Sequence, residues 1–159
     1  MNHTGKPLLE GRVRSEWVDY NGHMNDAEYA RVFSMAVDRL IEDIGIDEAY
    51  RNHYQYSMYT LETHLCYLAE AHEDQLIRIQ VQLLDHDSKR LHLFFVMENN
   101  EGESLATSEQ MLMGMDMKEG RPAPFPEAIE EKVSELAKAN EGVPIPDQAG
   151  RKIGIRRKR

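Results

Sequence analysis

A short run of polar residues, Asp19-Tyr20-Asn21-Gly22-His23-Met24-Asn25, carries the residue types of this chain that are best suited to chemistry. The run joins a predicted strand to a predicted helix. Backbone N–H groups at a helix start lie at the positive end of the helix dipole, where a developing negative charge is stabilised. Asp19 comes a few residues before these donors. The sequence therefore predicts a carboxylate beside an anion-stabilising helix start.

The same run can also form a turn without any chemistry, because aspartate, asparagine and glycine are ordinary turn formers. His23 can orient a substrate or a water molecule, or it can remain a surface residue beside the helix. Asn25 is expected to cap the helix. The backbone amides of Asn25 and Asp26 then become candidates for binding a negatively charged oxygen.

The elements on either side must position this run. Residues 11–18 predict a first strand. From Asn25 to Ile44 the apolar residues recur at spacings of three and four, which predicts a long amphipathic helix that Gly45 ends. The apolar period then changes to two and predicts four strands, at residues 61–69, 77–83, 89–98 and 104–117. Prolines follow, and residues 127–139 predict a C-terminal helix.

Short turn sequences between the later strands predict antiparallel pairing. A helix of about 20 residues buries its apolar stripe only if a sheet curls around it. The element order therefore predicts an α+β hotdog fold, in which a curved antiparallel five-stranded sheet wraps a long central helix and a C-terminal helix follows. A chain of 159 residues suits a single domain. We place this domain at residues 1–140 and a basic, flexible tail at residues 141–159.

Charge is distributed unevenly along the chain. Six of the 19 Lys and Arg residues lie in the last nine positions, which leaves 13 basic against 28 acidic residues in residues 1–150. An acidic body repels phosphate backbones, so we expect no nucleic-acid partner, although the tail alone could bind polyanions. The start lacks the apolar run of a signal peptide and no segment approaches membrane-spanning length. We therefore expect a cytoplasmic protein without a membrane partner.

The composition also restricts metal and disulfide chemistry. Cys66 is the single cysteine, which excludes an intrachain disulfide and a cysteine-rich metal site. Seven histidines occur, but none forms the spaced pair on a helix that zinc enzymes use. We therefore expect no metal site.

The segment Trp17-Val18-Asp19-Tyr20-Asn21-Gly22-His23-Met24-Asn25, with Tyr29 in the helix, resembles the signature of the 4-hydroxybenzoyl-CoA thioesterase group of hotdog proteins. The resemblance covers roughly residues 10–125. It implies that Asp19 is the catalytic carboxylate of an acyl-CoA thioesterase, acting as a nucleophile or as a general base. It also implies oxyanion donors among the backbone amides near Asn25 and Asp26. Coenzyme A would enter as part of the small-molecule substrate, and no separate cofactor is expected.

Aromatic residues give information about the identity of the acyl group that the protein would bind. Trp17, Tyr20 and Tyr29 lie in or beside the run and are expected to bind the substrate. Five more tyrosines lie between the helix and the second strand: Tyr50, Tyr54, Tyr56, Tyr59 and Tyr67. Aromatic faces attract quaternary ammonium groups, and the run is similar to the thioesterases of carnitine breakdown, including domains fused to carnitine dehydrogenases. That resemblance implies betainyl-CoA as the substrate, with an ordinary short or medium acyl-CoA as the alternative.

Other function classes stay open at this point. Glu62 and His64 share one face of the second strand, where an acid and an imidazole can bind substrate, act as base and orienter, or face solvent or an interface. The pair keeps a hydroxyacyl-thioester dehydratase open, and a non-catalytic acyl-CoA-binding hotdog module is the other alternative. Coenzyme A phosphates could be held by Lys89, Arg90, Arg121 or the basic tail.

The sequence also predicts self-association. An open sheet leaves an unpaired edge, so we expect a homodimer or a homotetramer. Methionines recur at period two in the last strand and are expected to fill the core or an interface: Met111, Met113, Met115 and Met117.

Overall fold

The structure, a computed structural model, describes residues 6–158. The helices are α1 Asp26–Asp43, α2 Glu48–Tyr54 and α3 Glu127–Ala139, and a single 3-10 turn spans Ser15–Trp17. The strands are β1 Leu9–Arg12, β2 Tyr56–Tyr67, β3 Leu76–His86, β4 Arg90–Asn99, β5 Ser104–Asp116 and β6 Arg121–Pro122.

The strands form one antiparallel sheet in the order β1-β3-β4-β5-β2, and the short β6 pairs with β5. One face of the sheet packs on α1 in a shared apolar core. At its centre the rings of Phe33 on α1 and Phe95 on β4 meet edge to face, with centroids 6.4 Å apart. The predicted α+β hotdog fold is confirmed, with five main strands and β6 as a two-residue addition.

The ends of α1 follow from local chemistry. The side chain of Asn25 caps the helix by accepting a hydrogen bond from the amide of Ala27 at 3.0 Å. At the other end Gly45 takes a φ of +106°, and the amide of Ile46 donates to the carbonyl of Ile41 at 3.0 Å. This left-handed ending closes the helix. The predicted helix is therefore confirmed at both ends.

Two expectations about strands need correction. The first strand covers Leu9–Arg12 rather than residues 11–18, because its pairing with β3 ends at Arg12 and the chain then enters the 3-10 turn. The second strand begins at Tyr56 rather than at residue 61, and it lies at the sheet edge beside β5. In residues 6–158, each helix is too short or too polar to cross a membrane.

The chain after α3 returns to the outer face of the sheet, the face opposite α1. Residues 143–150, which we call the strap, lie across this face. The side-chain amide of Gln82 donates to the carbonyl of Val143 at 3.4 Å, and the amide of Gly150 donates to the carboxylate of Glu109 at 2.7 Å. These contacts join part of the segment predicted as a tail to the sheet. The predicted division into residues 1–140 and 141–159 stays a prediction.

Candidate active site

Asp19 lies in a tight turn that its own carboxylate organises. Its Oδ1 accepts hydrogen bonds from the amides of Asn21 at 2.9 Å and His23 at 3.2 Å. Gly22 takes a φ of +78°, which a residue with a side chain rarely adopts. The second carboxylate oxygen makes no hydrogen bond to residues 6–158. The side chain is thus held in place while one oxygen faces solvent.

His23 connects this turn to the segment that follows β2. Its Nε2 lies 3.4 Å from a carboxylate oxygen of Glu70, and its ring meets that of His72 edge to face at 4.9 Å between centroids. A β-bridge pairs His23 with His72, and another pairs Val18 with Met24. These contacts connect the two ends of the turn to each other, and they connect the turn to residues 70–72.

The two backbone amides expected as oxyanion donors differ in their surroundings. The amide of Asn25 donates to the carbonyl of Trp17 at 2.9 Å and is already engaged. The amide of Asp26, the first of α1, makes no hydrogen bond to residues 6–158. Asp26 therefore offers the open donor at the positive end of the helix dipole.

A cavity of about 320 Å³ opens at the start of α1. Its lining consists of Met24, Asp26, Tyr29, Tyr67, Leu68, Ala69 and Glu70. Two carboxylates and two aromatic rings are present among these seven residues, and none of the seven is basic. Because of its contact with His23, Glu70 also joins the cavity to the turn that holds Asp19.

The two tyrosines of the cavity are fixed in orientation. Their rings meet edge to face with centroids 5.3 Å apart. The hydroxyl of Tyr29 accepts a hydrogen bond from the amide of Ala71 at 3.1 Å, and that of Tyr67 donates to the carbonyl of Asp26 at 3.2 Å. Burial raises the pKa of both phenols above the ordinary value, so both stay neutral near pH 7.

Trp17 and Tyr20, which the sequence predicts to bind substrate, do not line this cavity. Trp17 is 8% exposed and belongs to the core, where the guanidinium of Arg14 lies 5.2 Å from its ring centroid. Tyr20 is 97% exposed at the tip of the turn. Trp17 therefore anchors the start of the turn in the core, and Tyr20 lies on the exposed surface of the turn.

Glu62 and His64 are not brought to Asp19 within one subunit. They lie on the outer face of β2, where Nε2 of His64 is 3.9 Å from Sγ of Cys66. Tyr67 points from the same strand to the inner side. Among residues 6–158 no group of three or more His, Cys, Asp or Glu side chains is placed to hold a metal ion.

The five tyrosines of α2 and β2 do not lie together. Tyr50 and Tyr54 meet at 4.5 Å between ring centroids near α2, and the hydroxyl of Tyr56 donates to the carbonyl of Ala123. Of the five, Tyr67 alone lines the cavity. Glu70 was not predicted as a site residue, because its place after an edge strand gives no signal in the sequence.

Comparisons with known proteins show the family to which the chain is similar. Residues 13–133 match the model of the Thioesterase-like superfamily. The chain is 43% identical over 147 residues to the betainyl-CoA thioesterase of Pseudomonas aeruginosa, covering 92% of each chain. It is 38% identical to the L-carnitine dehydrogenase/betainyl-CoA thioesterase of Rhizobium meliloti, covering 94% of this chain and 30% of that longer protein.

The fold has a close counterpart among solved structures. It superposes with a TM-score of 0.89 on a Staphylococcus aureus protein in complex with CoA, at 33% identity, covering 93% of this chain and 94% of that one. The chain belongs to the Thioesterase-like superfamily and is a thioester hydrolase.

Proposed function

We propose that the protein hydrolyses a small acyl-CoA, betainyl-CoA, to the free acid and CoA. The observation that carries this proposal is the cavity at the start of α1, where the rings of Tyr29 and Tyr67 lie with the carboxylates of Asp26 and Glu70. Aromatic faces attract a quaternary ammonium group by about 0.5 to 2 kcal/mol per contact. Negative charge adds to this attraction. A neutral acyl group gains nothing from the two carboxylates.

We assign the attack on the thioester to Asp19. Two backbone amides hold its Oδ1, and its Oδ2 can attack the carbonyl carbon or take a proton from an attacking water molecule. If Oδ2 attacks, the carbon–sulfur bond breaks, CoA leaves and takes up a proton from solvent as the thiol, and water then hydrolyses the acyl–Asp19 anhydride to the free acid. If Oδ2 takes the proton of water, the hydroxide adds to the carbonyl carbon, the carbon–sulfur bond breaks, and that proton passes to the leaving CoA sulfur. The open amide of Asp26 donates to the carbonyl oxygen as it becomes negative. His23 and Asn25 act as positioning residues, the first for the turn and the second as the helix cap.

The names and contents of the relatives support betainyl as the acyl group and CoA as its carrier. The Pseudomonas aeruginosa protein is named a betainyl-CoA thioesterase, and the Staphylococcus aureus structure contains CoA. We propose that CoA enters as part of the substrate and that the reaction needs no other cofactor. The cytoplasm is the proposed location.

An ordinary short acyl-CoA is the second candidate substrate, because Met24, Leu68 and Ala69 give the cavity an apolar side. Dehydration of a hydroxyacyl thioester would need an acid and an imidazole at the reacting carbons. Glu62 and His64, the pair considered for that role, lie on the outer face of β2. The geometry of one subunit therefore favours hydrolysis over dehydration.

Product analysis tests the proposed function. The protein is incubated separately with betainyl-CoA, isovaleryl-CoA and a 3-hydroxyacyl-CoA, and free thiol and acyl products are measured. Thiol release that is fastest with betainyl-CoA is the expected result. An unsaturated acyl-CoA formed from the hydroxyacyl substrate would indicate a dehydratase, and three unchanged ligands would indicate a binding module.

We also propose that the protein is a homodimer joined along β2. Within residues 6–158 this strand has one neighbour, β5, and its other edge is unpaired. Residues 59–63 are exposed on both faces, and Tyr59 and Leu61 are 47% and 51% exposed. A long edge strand with exposed apolar side chains is a template for pairing with another chain. A second copy with its β2 antiparallel satisfies this edge by twofold symmetry.

A further inference from the structure

A second cavity, which we call the β1 cavity, lies between β1 and α1. Its volume is about 140 Å³, and none of the residues that line it also lines the cavity at the start of α1. Six apolar residues of β1, β3, α1 and the 3-10 turn form most of its wall: Leu9, Ile77, Ile79, Val32, Met35 and Trp17. Voids larger than a water molecule are few in a close-packed protein, so packing is incomplete at this place.

Gly11 on β1 leaves this cavity open. Its register partner on β3 is the buried Ile77, so Gly11 stands on the inner face of the sheet, the face toward α1. No atom of residues 6–158 lies within 4 Å of the position that a Cβ would take there. The backbone is that of an ordinary strand and does not require glycine. A glycine inside a strand often marks a place where a ligand approaches the backbone closely.

Arg14 supplies the charge of the β1 cavity. The other two charged residues of the lining, Glu10 and Arg12, alternate with Gly11 along β1, so their side chains point to the outer face of the sheet. The guanidinium of Arg14 lies 5.2 Å from the ring centroid of Trp17, at the exposed end of the cavity. Its ion pair with Glu16 is 3.8 Å long and joins two exposed side chains, so water screens it. The guanidinium is therefore available to an anionic ligand.

Volume and charge together define the ligand. A cavity of about 150 Å³ holds a molecule the size of benzene, so the β1 cavity suits an apolar group of about four to six carbons. A guanidinium is the side-chain group that binds a carboxylate best, through two parallel hydrogen bonds. The cavity at the start of α1 contains Asp26 and Glu70 and no basic residue, so it repels a free carboxylate. The two cavities thus favour ligands of opposite charge.

We propose that the β1 cavity binds a short apolar carboxylate. The hydrocarbon group lies beneath Gly11 and against Trp17, and the carboxylate accepts hydrogen bonds from the guanidinium of Arg14. Isovalerate represents this class, because its isobutyl group matches the volume and its carboxylate matches the charge. The site is separate from Asp19 and does not depend on thioester hydrolysis.

Fluorescence of Trp17, the single tryptophan of the chain, reports on this site directly. Isovalerate is titrated into the wild-type protein at constant ionic strength, and isothermal titration calorimetry measures the same binding without the fluorophore. A saturable change with a Kd of about 0.1 to 1 mM is expected for so small a ligand. Acetate lacks the hydrocarbon group and 3-methyl-1-butanol lacks the charge, so each should bind about tenfold more weakly or worse. An absence of isovalerate binding by both methods overturns the proposal.

Two variants test the position of the ligand. Gly11→Leu should fill the cavity and raise the Kd for isovalerate about tenfold or more. Gly154→Leu, at another glycine with open space for a side chain, is its matched control and should leave the Kd unchanged. Arg14→Gln keeps the cavity but removes the charge, and should also raise the Kd about tenfold. Arg39→Gln, on the exposed face of α1, is the control for that change.

The second variant keeps the proposal testable if Gly11→Leu does not fold, because Arg14→Gln alters an exposed side chain alone. Isovalerate binding that both Gly11→Leu and Arg14→Gln leave unchanged would place the ligand elsewhere and overturn the site. Thiol release from acyl-CoA decides the thioesterase proposal separately.

Discussion

At Asp19 the turn uses one carboxylate oxygen for structure and leaves the other for chemistry. Asp19→Asn keeps an acceptor for the amides of Asn21 and His23 but removes the negative charge. We expect kcat/KM for thioester hydrolysis to fall about 100-fold or more with an unchanged fold. Thiol release and circular dichroism measure the two effects. Asp38→Asn, on the exposed face of α1, is the matched control, and near-normal turnover in folded Asp19→Asn would contradict the assignment.

Tyr67 is the tyrosine that tests substrate recognition best. Tyr29 also holds the amide of Ala71, so its removal would disturb the fold. Tyr67→Leu should lower the preference for betainyl-CoA over a neutral acyl-CoA by about threefold to tenfold, because one aromatic face is lost. Tyr67→Phe keeps the face and should keep the preference. Tyr54→Leu, at a 61% exposed site on α2, is the control. If it lowers the preference for betainyl-CoA as much as Tyr67→Leu does, the effect is not specific to the cavity.

Residue types near the helix start could be read from the sequence because their roles are local. Asn25 caps α1 as predicted, since capping depends on residues a few positions apart. Tyr50 and Tyr54 were expected near the site and lie elsewhere. Glu70 was not predicted, because a glutamate that follows a strand gives no sequence signal that it lines the cavity. The number of tyrosines in a segment carries no information about which end of the sheet each one reaches.

At the scale of elements, the strands were identified more easily than their order. Period-two patterns predict which residues share a face, but they do not name the neighbouring strand. Short turns indicated the β3–β4 and β4–β5 hairpins, and both pairs are present. The link from β2 to β3 contains no such turn, and β2 pairs with β5 instead. The methionines of β5 illustrate the same limit, because Met111 and Met113 lie on the outer face rather than against α1.

Gly114 on β5 gives a prediction about packing. A Cβ at this position would collide with the hydroxyl oxygen of Tyr56 and lie 2.9 Å from the carbonyl oxygen of Ala123, two groups that are hydrogen-bonded to each other. Gly114→Ala should therefore lower the free energy of unfolding by about 1 to 3 kcal/mol, as overpacking does. Gly11→Ala has open space and is the matched control. Equal midpoints of urea unfolding for the two variants would contradict this account.

At the scale of the whole molecule, the unpaired edge of β2 predicts assembly. Wild-type protein should sediment as a dimer. Leu61→Lys, in the doubly exposed stretch, should raise the dimer Kd by about tenfold or more, because a charged edge residue opposes strand pairing. Met117→Lys, 45% exposed and outside β2, is the matched control and should leave the Kd unchanged. A wild-type protein that sediments as a fully active monomer would contradict the dimer.

The central claim is that the cavity at the start of α1 selects a positively charged acyl group. Betainyl-CoA and 3,3-dimethylbutyryl-CoA have nearly the same shape, because the second carries a tert-butyl group where the first carries trimethylammonium. A comparison of kcat/KM for the two substrates therefore isolates charge. Two aromatic faces and an acidic lining predict roughly a tenfold to hundredfold preference for betainyl-CoA. Equal or faster hydrolysis of 3,3-dimethylbutyryl-CoA would contradict the claim and leave an acyl-CoA thioesterase that does not recognise charge.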